Sequence, residues 1–238
     1  FIGAAALGLY AKAYGLMMLP IAQIRAPLQS VALPALSRLQ TQPERYRKYY
    51  LNLIHLLGFA TIPLMILLFI ASKDFVRLIL GSQWMGSIPI FRVLCLAALI
   101  QPIASTRGMV LLSLGHSDRY FKWGMANSIV MIVSFIAGLP WGALGVAVAY
   151  TVANYIILIP SLMYCFSQSS VTVRDFFGVL IKPSIFALAM ACILFAESLL
   201  LSNVSHVFRL LILCGSAGIF GAGLYMMFPE ERAFIKQL

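Results

Sequence analysis

Residues 51–70, LNLIHLLGFATIPLMILLFI, form 20 consecutive positions without Lys, Arg, Asp or Glu. A hydrocarbon core of about 30 Å is crossed by about 20 helical residues that rise 1.5 Å each. The stretch therefore predicts a transmembrane helix. Its apolar residues surround the helix on nearly all sides, which is typical of a helix in lipid or in a bundle interior.

The composition of the whole chain agrees with this local prediction. Of 238 residues, 62% are hydrophobic and 10% are charged, and the mean hydropathy is +0.96. An average soluble domain has about a quarter of its residues charged, so a soluble enzyme, a disordered chain and a disulfide scaffold are excluded. The net charge of +10 is expected at cytoplasmic loops and anionic lipids, and no nucleic-acid partner is expected.

Seven segments are long and apolar enough to cross a membrane, which predicts an all-α, polytopic bundle of transmembrane helices. They are residues 7–36, 50–72, 87–114, 119–138, 141–166, 183–201 and 206–227. Residues 73–81 are too short to cross and are expected to lie in the interface. Residues 172–175, TVRD, resemble a capping box, which predicts a short interfacial helix that Pro183 interrupts.

The distribution of Lys and Arg predicts the orientation of the bundle. Ten cations follow the odd-numbered segments, three follow the even-numbered ones, and four lie inside segments. Cytoplasmic loops carry the excess of positive charge, so the odd-numbered segments are predicted to exit into the cytoplasm. The C-terminus is then cytoplasmic.

Four cations inside the predicted segments are the candidate binding residues: Lys12 and Arg25 in the first, and Arg92 and Arg107 in the third. A cation at the centre of a transmembrane helix costs about 2.5–3.5 kcal/mol, so it usually faces a bundle interior or a wet cavity. Glu197 is the one acid within a predicted segment. Pairing with carboxylates elsewhere in the protein, snorkelling of Lys12 and Arg92, and a cationic cavity for an anionic ligand all remain open. Three glutamines supply supporting polar groups: Gln23, Gln29 and Gln101.

Pro20, Pro27 and Pro34 are spaced by seven residues in the first segment and so lie on nearly one face. Each removes a backbone hydrogen bond and is expected to bend the helix. A bent helix that carries a midplane arginine suits a moving gate of a transporter, and a static kink fixed by packing is the alternative.

Catalytic chemistry is missing from the sequence. The histidines, His55, His116 and His206, are scattered and have no convincing carboxylate partner. No paired-carboxylate motif, GxSxG or phosphate-binding loop is present, and no metal or cofactor is expected. The sequence therefore favours transport over catalysis.

Several blocks of sequence resemble a known family. They are LGLYAKAY at 7–14, VALPALSRLQ at 31–40, LGSQW at 80–84, LGHSD at 114–118 and GALGVAVAY at 142–150. They are similar to the bacterial polysaccharide flippases of the multidrug/oligosaccharidyl-lipid/polysaccharide superfamily, within the O-antigen and colanic-acid exporter branch. The similarity extends over nearly the whole chain.

The resemblance implies a two-lobed flippase of the bacterial inner membrane. Residues 1–166 correspond to the second lobe without its first helix, and residues 167–238 to two further C-terminal helices; the first lobe is expected upstream. The implied substrate is an oligosaccharide on undecaprenyl diphosphate for exopolysaccharide or O-antigen (lipopolysaccharide) biosynthesis, moved by alternating access.

The same resemblance implies roles for the four cations and partners for the protein. Arg25 and Arg107 contact the anionic headgroup, and Lys12 and Arg92 line the outer mouth. Membrane lipids, the missing lobe and the polysaccharide polymerase machinery are the expected partners. A multidrug extruder of the same superfamily and an embedded polysaccharide polymerase or glycosyltransferase are the alternatives.

Overall fold

The computed structural model describes residues 3–200 and 206–227, and over these residues it is helical without strands. Two short 3₁₀ helices, Ser82–Ser87 and Leu139–Trp141, join the α-helices. The α-helices are α1 (Ala4–Arg38), α2 (Pro43–Ile70), α3 (Ser72–Ile79), α4 (Ile88–Ala98), α5 (Gln101–Ala104), α6 (Arg107–Ser113), α7 (Ser117–Gly138), α8 (Gly142–Phe166), α9 (Val173–Leu200) and α10 (His206–Met227). The all-α prediction is confirmed.

Each of the seven predicted segments coincides with a long helix or with the bent series α4–α6. By length and hydropathy, four stretches of the described chain qualify as spans: Ala4–Arg38, Pro43–Ile70, Ser117–Phe166 and Val173–Leu200, with the bent series as a fifth. The 50-residue stretch Ser117–Phe166 is a hairpin of α7 and α8. A Cβ on Gly138 would lie 2.6 Å from the Cα of Val146, so glycine is required where the two helices meet.

Contacts between side chains establish that successive segments alternate in direction. The start of α1 meets the start of the third segment, where Lys12 lies over Trp84. The starts of α2 and α9 also meet, through Arg47 and Asp175. We name the two ends of the bundle the Trp84 end and the Asp175 end after these contacts.

The hairpin of α7 and α8 and the last helix obey the same alternation. At the Trp84 end, the ring of Phe135 of α7 lies 5.8 Å from the ring of Tyr150 of α8. At the Asp175 end, the guanidinium of Arg119 donates to the hydroxyl of Ser167. The first residue of α10, His206, contacts α3 just beyond the end of α2. This alternation agrees with the order that the charge distribution predicts.

The third segment is broken, where the sequence predicted one continuous helix over 87–114. Its two halves are bent by 43° around Leu99 and Ile100. Pro102 has no N–H for the carbonyl of Ala98, and the N–H of Ile100 turns to Ala97 at 3.3 Å. The carbonyl of Leu96 loses its helical donor and accepts the hydroxyl of Tyr155 at 3.0 Å instead.

The capping box at residues 172–175 is confirmed. The N–H of Asp175 donates to the hydroxyl of Thr172 at 3.2 Å, and the N–H of Thr172 donates to the Asp175 carboxylate at 3.1 Å. The guanidinium of Arg47 donates two hydrogen bonds to the same carboxylate, at 2.6 and 2.9 Å. This junction fixes the start of α9 to the start of α2.

The prediction that Pro183 interrupts a short interfacial helix is wrong. The helix that begins at Val173 continues through Pro183 to Leu200. The proline ring is buried and packs against Gly58 of α2, where a Cβ would stand 3.3 Å from the ring. A neighbouring helix that accepts the ring in this way lets a transmembrane helix tolerate proline.

The prediction that the histidines have no carboxylate partner is also wrong. The buried Asp74 of α3 lies between Nδ1 of His206, at 2.6 Å, and Nε of Arg209, at 3.3 Å. Arg77 donates to Nε2 of His206, so the Nδ1–H of the same ring donates to Asp74. The 132 residues between Asp74 and His206 hid this pairing from sequence patterns.

We expect Asp74→Ala to lower the stability of the protein, because Arg209 would lose its buried anionic partner. Breaking a buried ion pair costs on the order of 3 kcal/mol. The apparent melting temperature of the purified full-length protein in detergent measures the effect. The matched control is Lys73→Ala, since Lys73 is the exposed neighbour on α3. Equal melting temperatures for Asp74→Ala and the wild type would contradict this reading of the contact.

Candidate functional site

Lys12 and Arg92 lie toward the Trp84 end of the bundle. The ammonium of Lys12 stands 5.5 Å from the ring centroid of Trp84. The guanidinium of Arg92 donates to the hydroxyl of Ser72 at 2.6 Å. Both side chains are exposed, so this end of the bundle presents two cations that keep their charges near the surface.

Arg25 lies in the least covered part of α1. Between the buried residues Ile21 and Ala32, the described side chains of α1 are exposed apart from half-buried Ile24. Arg25 and Gln23 are both in this exposed stretch; the side chain of Gln29 lies outside the described part of the structure.

One polar face runs along α1. Lys12, Gln23 and Ser30 are separated by 11 and 7 residues, which places them within about 20° of one another around a helix of 3.6 residues per turn. All three are exposed. The side chains that α1 buries lie elsewhere on the helix, including Met17 and Leu36. We call Lys12, Gln23 and Ser30 the polar face of α1.

The three prolines of α1 stand inside one uninterrupted helix, Ala4–Arg38. Pro20 is half-buried, and Pro27 and Pro34 are exposed. Each proline removes one intrahelical donor, so the carbonyls four residues earlier need other partners or water. The predicted bend at these residues stays a prediction.

Arg107 has a different environment from the other three cations. Its side chain is half-buried at the start of α6, its guanidinium donates to the carbonyl of Ala104 at 2.9 Å, and it lies 5.7 Å from the ring of Trp123 on α7. These contacts are near the Asp175 end. Arg107 and Arg92 are 15 residues apart, or roughly 22 Å along a straight helix. The four cations therefore occupy successive depths rather than one pocket.

Gln101 lies directly after the break in the third segment and belongs to a cluster that the sequence did not indicate. Its side-chain amide donates to the hydroxyl of Tyr150 at 2.8 Å. The ring of Tyr14 packs edge-on against Tyr150 at 6.1 Å, and Tyr10 stacks on Tyr14 at the same distance. The cluster joins α1 and α8 to the bend. Glycine, proline and charge patterns do not single out such tyrosines.

An apolar groove is the second feature that sequence reasoning missed. Two adjoining cavities, of about 320 and 570 Å³, share Ile66 and Leu99 as lining residues. Side chains of α2, α4 and α9 line the smaller cavity, and the larger one also includes Tyr155 of α8. Ser184 of α9 is a polar residue of the larger cavity. We call the two cavities together the α2–α9 groove.

Comparisons with known proteins identify one matching family and several similar proteins. The family described as "Polysaccharide biosynthesis protein" matches residues 1–89. The teichuronic acid biosynthesis protein TuaB of Bacillus subtilis (strain 168) is 29% identical over 200 residues, which cover 84% of this chain and 41% of TuaB. The lipopolysaccharide biosynthesis protein WzxC of Escherichia coli (strain K12) is 26% identical over 166 residues, which cover 66% of this chain and 34% of WzxC.

A solved structure has the same fold. The lipid II flippase MurJ, in an inward closed conformation, aligns with 93% of this chain at a TM-score of 0.70 and 19% sequence identity. The predicted resemblance to polysaccharide flippases is confirmed. This multi-pass membrane protein thus has the MurJ fold. The chain spans half or less of the length of these three proteins, including 47% of the MurJ chain.

We expect the polar face of α1 to contact water in the full-length protein. With the native cysteines replaced, Gln23→Cys and Ser30→Cys should react with a membrane-impermeant maleimide, because a thiol must ionise to react. Ile193→Cys is the matched control: it is exposed on α9 and lines neither cavity, so lipid should cover it. Labelling of Gln23→Cys and Ser30→Cys no faster than Ile193→Cys would contradict a wet polar face.

Proposed function

We propose that this chain is part of a flippase that carries a lipid-linked oligosaccharide across the bacterial inner membrane for polysaccharide biosynthesis. The observation that carries the proposal is an exposed guanidinium, Arg25, in the middle of a 35-residue apolar helix. A cation at that depth next to lipid has a high free energy, and contact with an anion offsets this cost. The relatives involved in teichuronic acid and lipopolysaccharide biosynthesis support a saccharide cargo.

The anion that suits these cations is a diphosphate. Undecaprenyl diphosphate carries a saccharide on a lipid, and its charge is complementary to a cationic cavity. Glu197 is the one acid within a predicted segment. It accepts a hydrogen bond from Ser216 between α9 and α10. In this proposal the diphosphate is the group that the cavity recognises.

The different depths of the cations assign them successive roles. Arg107, near the Asp175 end, meets the headgroup first; Arg25 holds it at mid-depth; and Lys12 and Arg92 receive it at the Trp84 end. The Asp175 end is cytoplasmic in this scheme, as is the C-terminus, because the loops of that end carry most of the cations. The exposed stretch of α1 that carries Arg25 lines the path opposite the first lobe.

Alternating access supplies the movement. Residues 1–166 act as the second lobe and residues 167–238 as two further helices, and the two lobes rock around the cavity. The bend at Leu99 and Ile100 gives the cavity wall a place where a helix changes direction. The predicted bends at the three prolines of α1 would add further such places. Gln101 and its tyrosine neighbour Tyr150 hold the bend in the arrangement seen here.

The α2–α9 groove gives the lipid tail a place beside the cavity. Its lining is almost entirely aliphatic and aromatic, and it lies between spanning helices. An isoprenoid chain in the groove keeps its apolar surface out of water while the saccharide crosses. The tail then remains in the membrane throughout the cycle.

Transport is favoured over the alternatives by the same residues. A multidrug extruder for cationic drugs needs acids in its cavity, whereas the candidate residues here are cations. A polymerase or glycosyltransferase needs carboxylates or an activated nucleophile near the substrate, and the described polar residues of α1 supply amide, hydroxyl and cationic groups. We therefore propose a transporter without catalytic activity.

We expect Arg25→Ala to reduce surface polysaccharide by at least roughly tenfold while membrane insertion stays normal. A charged hydrogen bond is worth about 1.5–3 kcal/mol, which corresponds to roughly 10- to 150-fold in rate. Export is measured as surface polysaccharide relative to protein in the membrane. Lys73→Ala removes an exposed cation away from α1 and is the control. Normal export by Arg25→Ala at normal protein level would contradict the assignment.

We expect Ser184→Trp to slow export by filling the α2–α9 groove, because the indole would occupy the volume proposed for the lipid tail. Ile193→Trp places the same side chain at an exposed position of α9 outside both cavities and should leave export unchanged. Both variants are compared at equal amounts in the membrane. If Ser184→Trp exports as well as Ile193→Trp, the groove does not hold the tail.

A further inference from the structure

Two arginines and two aromatic rings form a continuous stack at the Asp175 end of the bundle. The guanidinium of Arg107 lies 5.7 Å from the Trp123 ring, Trp123 lies 5.8 Å from the Tyr164 ring, and Arg119 lies 4.5 Å from Tyr164. The order across the stack is cation, ring, ring, cation. We call these four residues the arginine–aromatic stack.

Three helices build the stack. Trp123 and Arg119 are one turn apart on α7, so they share the face that packs on α8. Tyr164 comes from the last turn of α8, and Arg107 from the first turn of α6. Gly108 lets α6 and α7 approach closely, because a Cβ there would stand 2.6 Å from the Tyr120 ring and the ring would have to shift.

Hydrogen bonds to carbonyl and hydroxyl oxygens hold the guanidinium groups of Arg107 and Arg119 in place, and these acceptors carry no charge that would neutralise them. Arg107 donates to the carbonyl of Ala104, and Arg119 donates to the carbonyl of Tyr164 and the hydroxyl of Ser167. Within the described residues, neither arginine forms an ion pair with a carboxylate, and Asp118, next to Arg119 in sequence, is exposed in the first turn of α7. A guanidinium held flat on a ring keeps edge N–H groups available for an anion.

The position of the stack suits a lipid headgroup. It lies where α7 begins and α8 ends, and aromatic side chains next to cations are typical of the membrane–water boundary. Trp123, Tyr164 and Arg119 are each half-buried, and Lys122 is exposed beside them. Phosphate is the headgroup chemistry that arginine binds best, through paired N–H donors.

We propose that Arg107, Arg119, Trp123 and Tyr164 form a binding site for the phosphate of a membrane lipid. The rings hold both guanidinium groups in place, and the phosphate binds at a guanidinium edge that the rings leave open. The phosphate belongs either to an anionic glycerophospholipid or to a polyprenyl phosphate; in the second case the site is an entry point for the substrate and rests on the proposed function.

Native mass spectrometry of the purified full-length protein tests this site. The protein is titrated in detergent with phosphatidylglycerol, with undecaprenyl phosphate and with phosphatidylcholine as the zwitterionic reference. We expect both anionic lipids to bind more tightly than phosphatidylcholine. Arg119→Ala and Trp123→Leu should weaken the tighter of the two by at least about fivefold, because each removes one part of the stack.

Two further variants make the result specific. Arg174→Ala removes an exposed cation at the same end but outside the stack, and it should bind both lipids as the wild type does. Arg119→Lys keeps the charge but loses the planar donor group, so it should bind less tightly than the wild type. Its melting temperature confirms that the protein is folded.

Comparison of phosphatidylglycerol with undecaprenyl phosphate shows which kind of lipid supplies the phosphate. Tighter binding of undecaprenyl phosphate supports an entry point, and tighter binding of phosphatidylglycerol supports a structural lipid site. Equal effects of Arg119→Ala and Arg174→Ala, or no effect of either, would overturn the proposal. Loss of phosphatidylglycerol binding with normal polysaccharide export would support a structural lipid site and leave the proposed transport function unaffected. Loss of undecaprenyl phosphate binding with normal export would contradict an entry point.

Discussion

The absence of water from the membrane interior is the constraint on which this structure depends. A backbone carbonyl or a charge in hydrocarbon must find a partner inside the protein, because an unsatisfied polar group there costs several kcal/mol. The hydroxyl of Tyr155 satisfies the carbonyl of Leu96 at the bend, and Arg209 and His206 surround the buried Asp74. Arg25 is exposed in the middle of α1, and the proposed function starts from that position.

The sequence predicted the elements whose causes are local. Runs of apolar residues located the seven segments, and the capping box at Thr172 and Asp175 formed as expected. The glycine at position 115 ends α6 with a φ of +79°, which favours glycine. Hydropathy averages over a window and therefore does not register the break at Leu99 and Ile100. That break depends on one proline and on a tyrosine hydroxyl more than 50 residues away.

The failures of prediction have a common physical cause, which is packing between distant parts of the chain. Pro183 continues its helix because Gly58 of α2 leaves room for the ring. His206 has a carboxylate partner because α10 begins beside α3. The residue types of the candidate site were predictable from charge and depth. The surroundings of Arg107 were not predictable, because its aromatic neighbour, Trp123, belongs to another helix.

We propose that the Arg25 guanidinium, at mid-depth on α1, contacts the diphosphate of a lipid-linked saccharide. The most direct measurement is a cryo-electron microscopy structure of the full-length protein in lipid nanodiscs with an undecaprenyl-diphosphate oligosaccharide. We expect a hydrated cavity beside the exposed stretch of α1 that carries Arg25, with the diphosphate within hydrogen-bonding distance of the Arg25 guanidinium. Arg25 in contact with acyl chains, or paired with a carboxylate of the rest of the protein with no cavity beside it, would contradict the account.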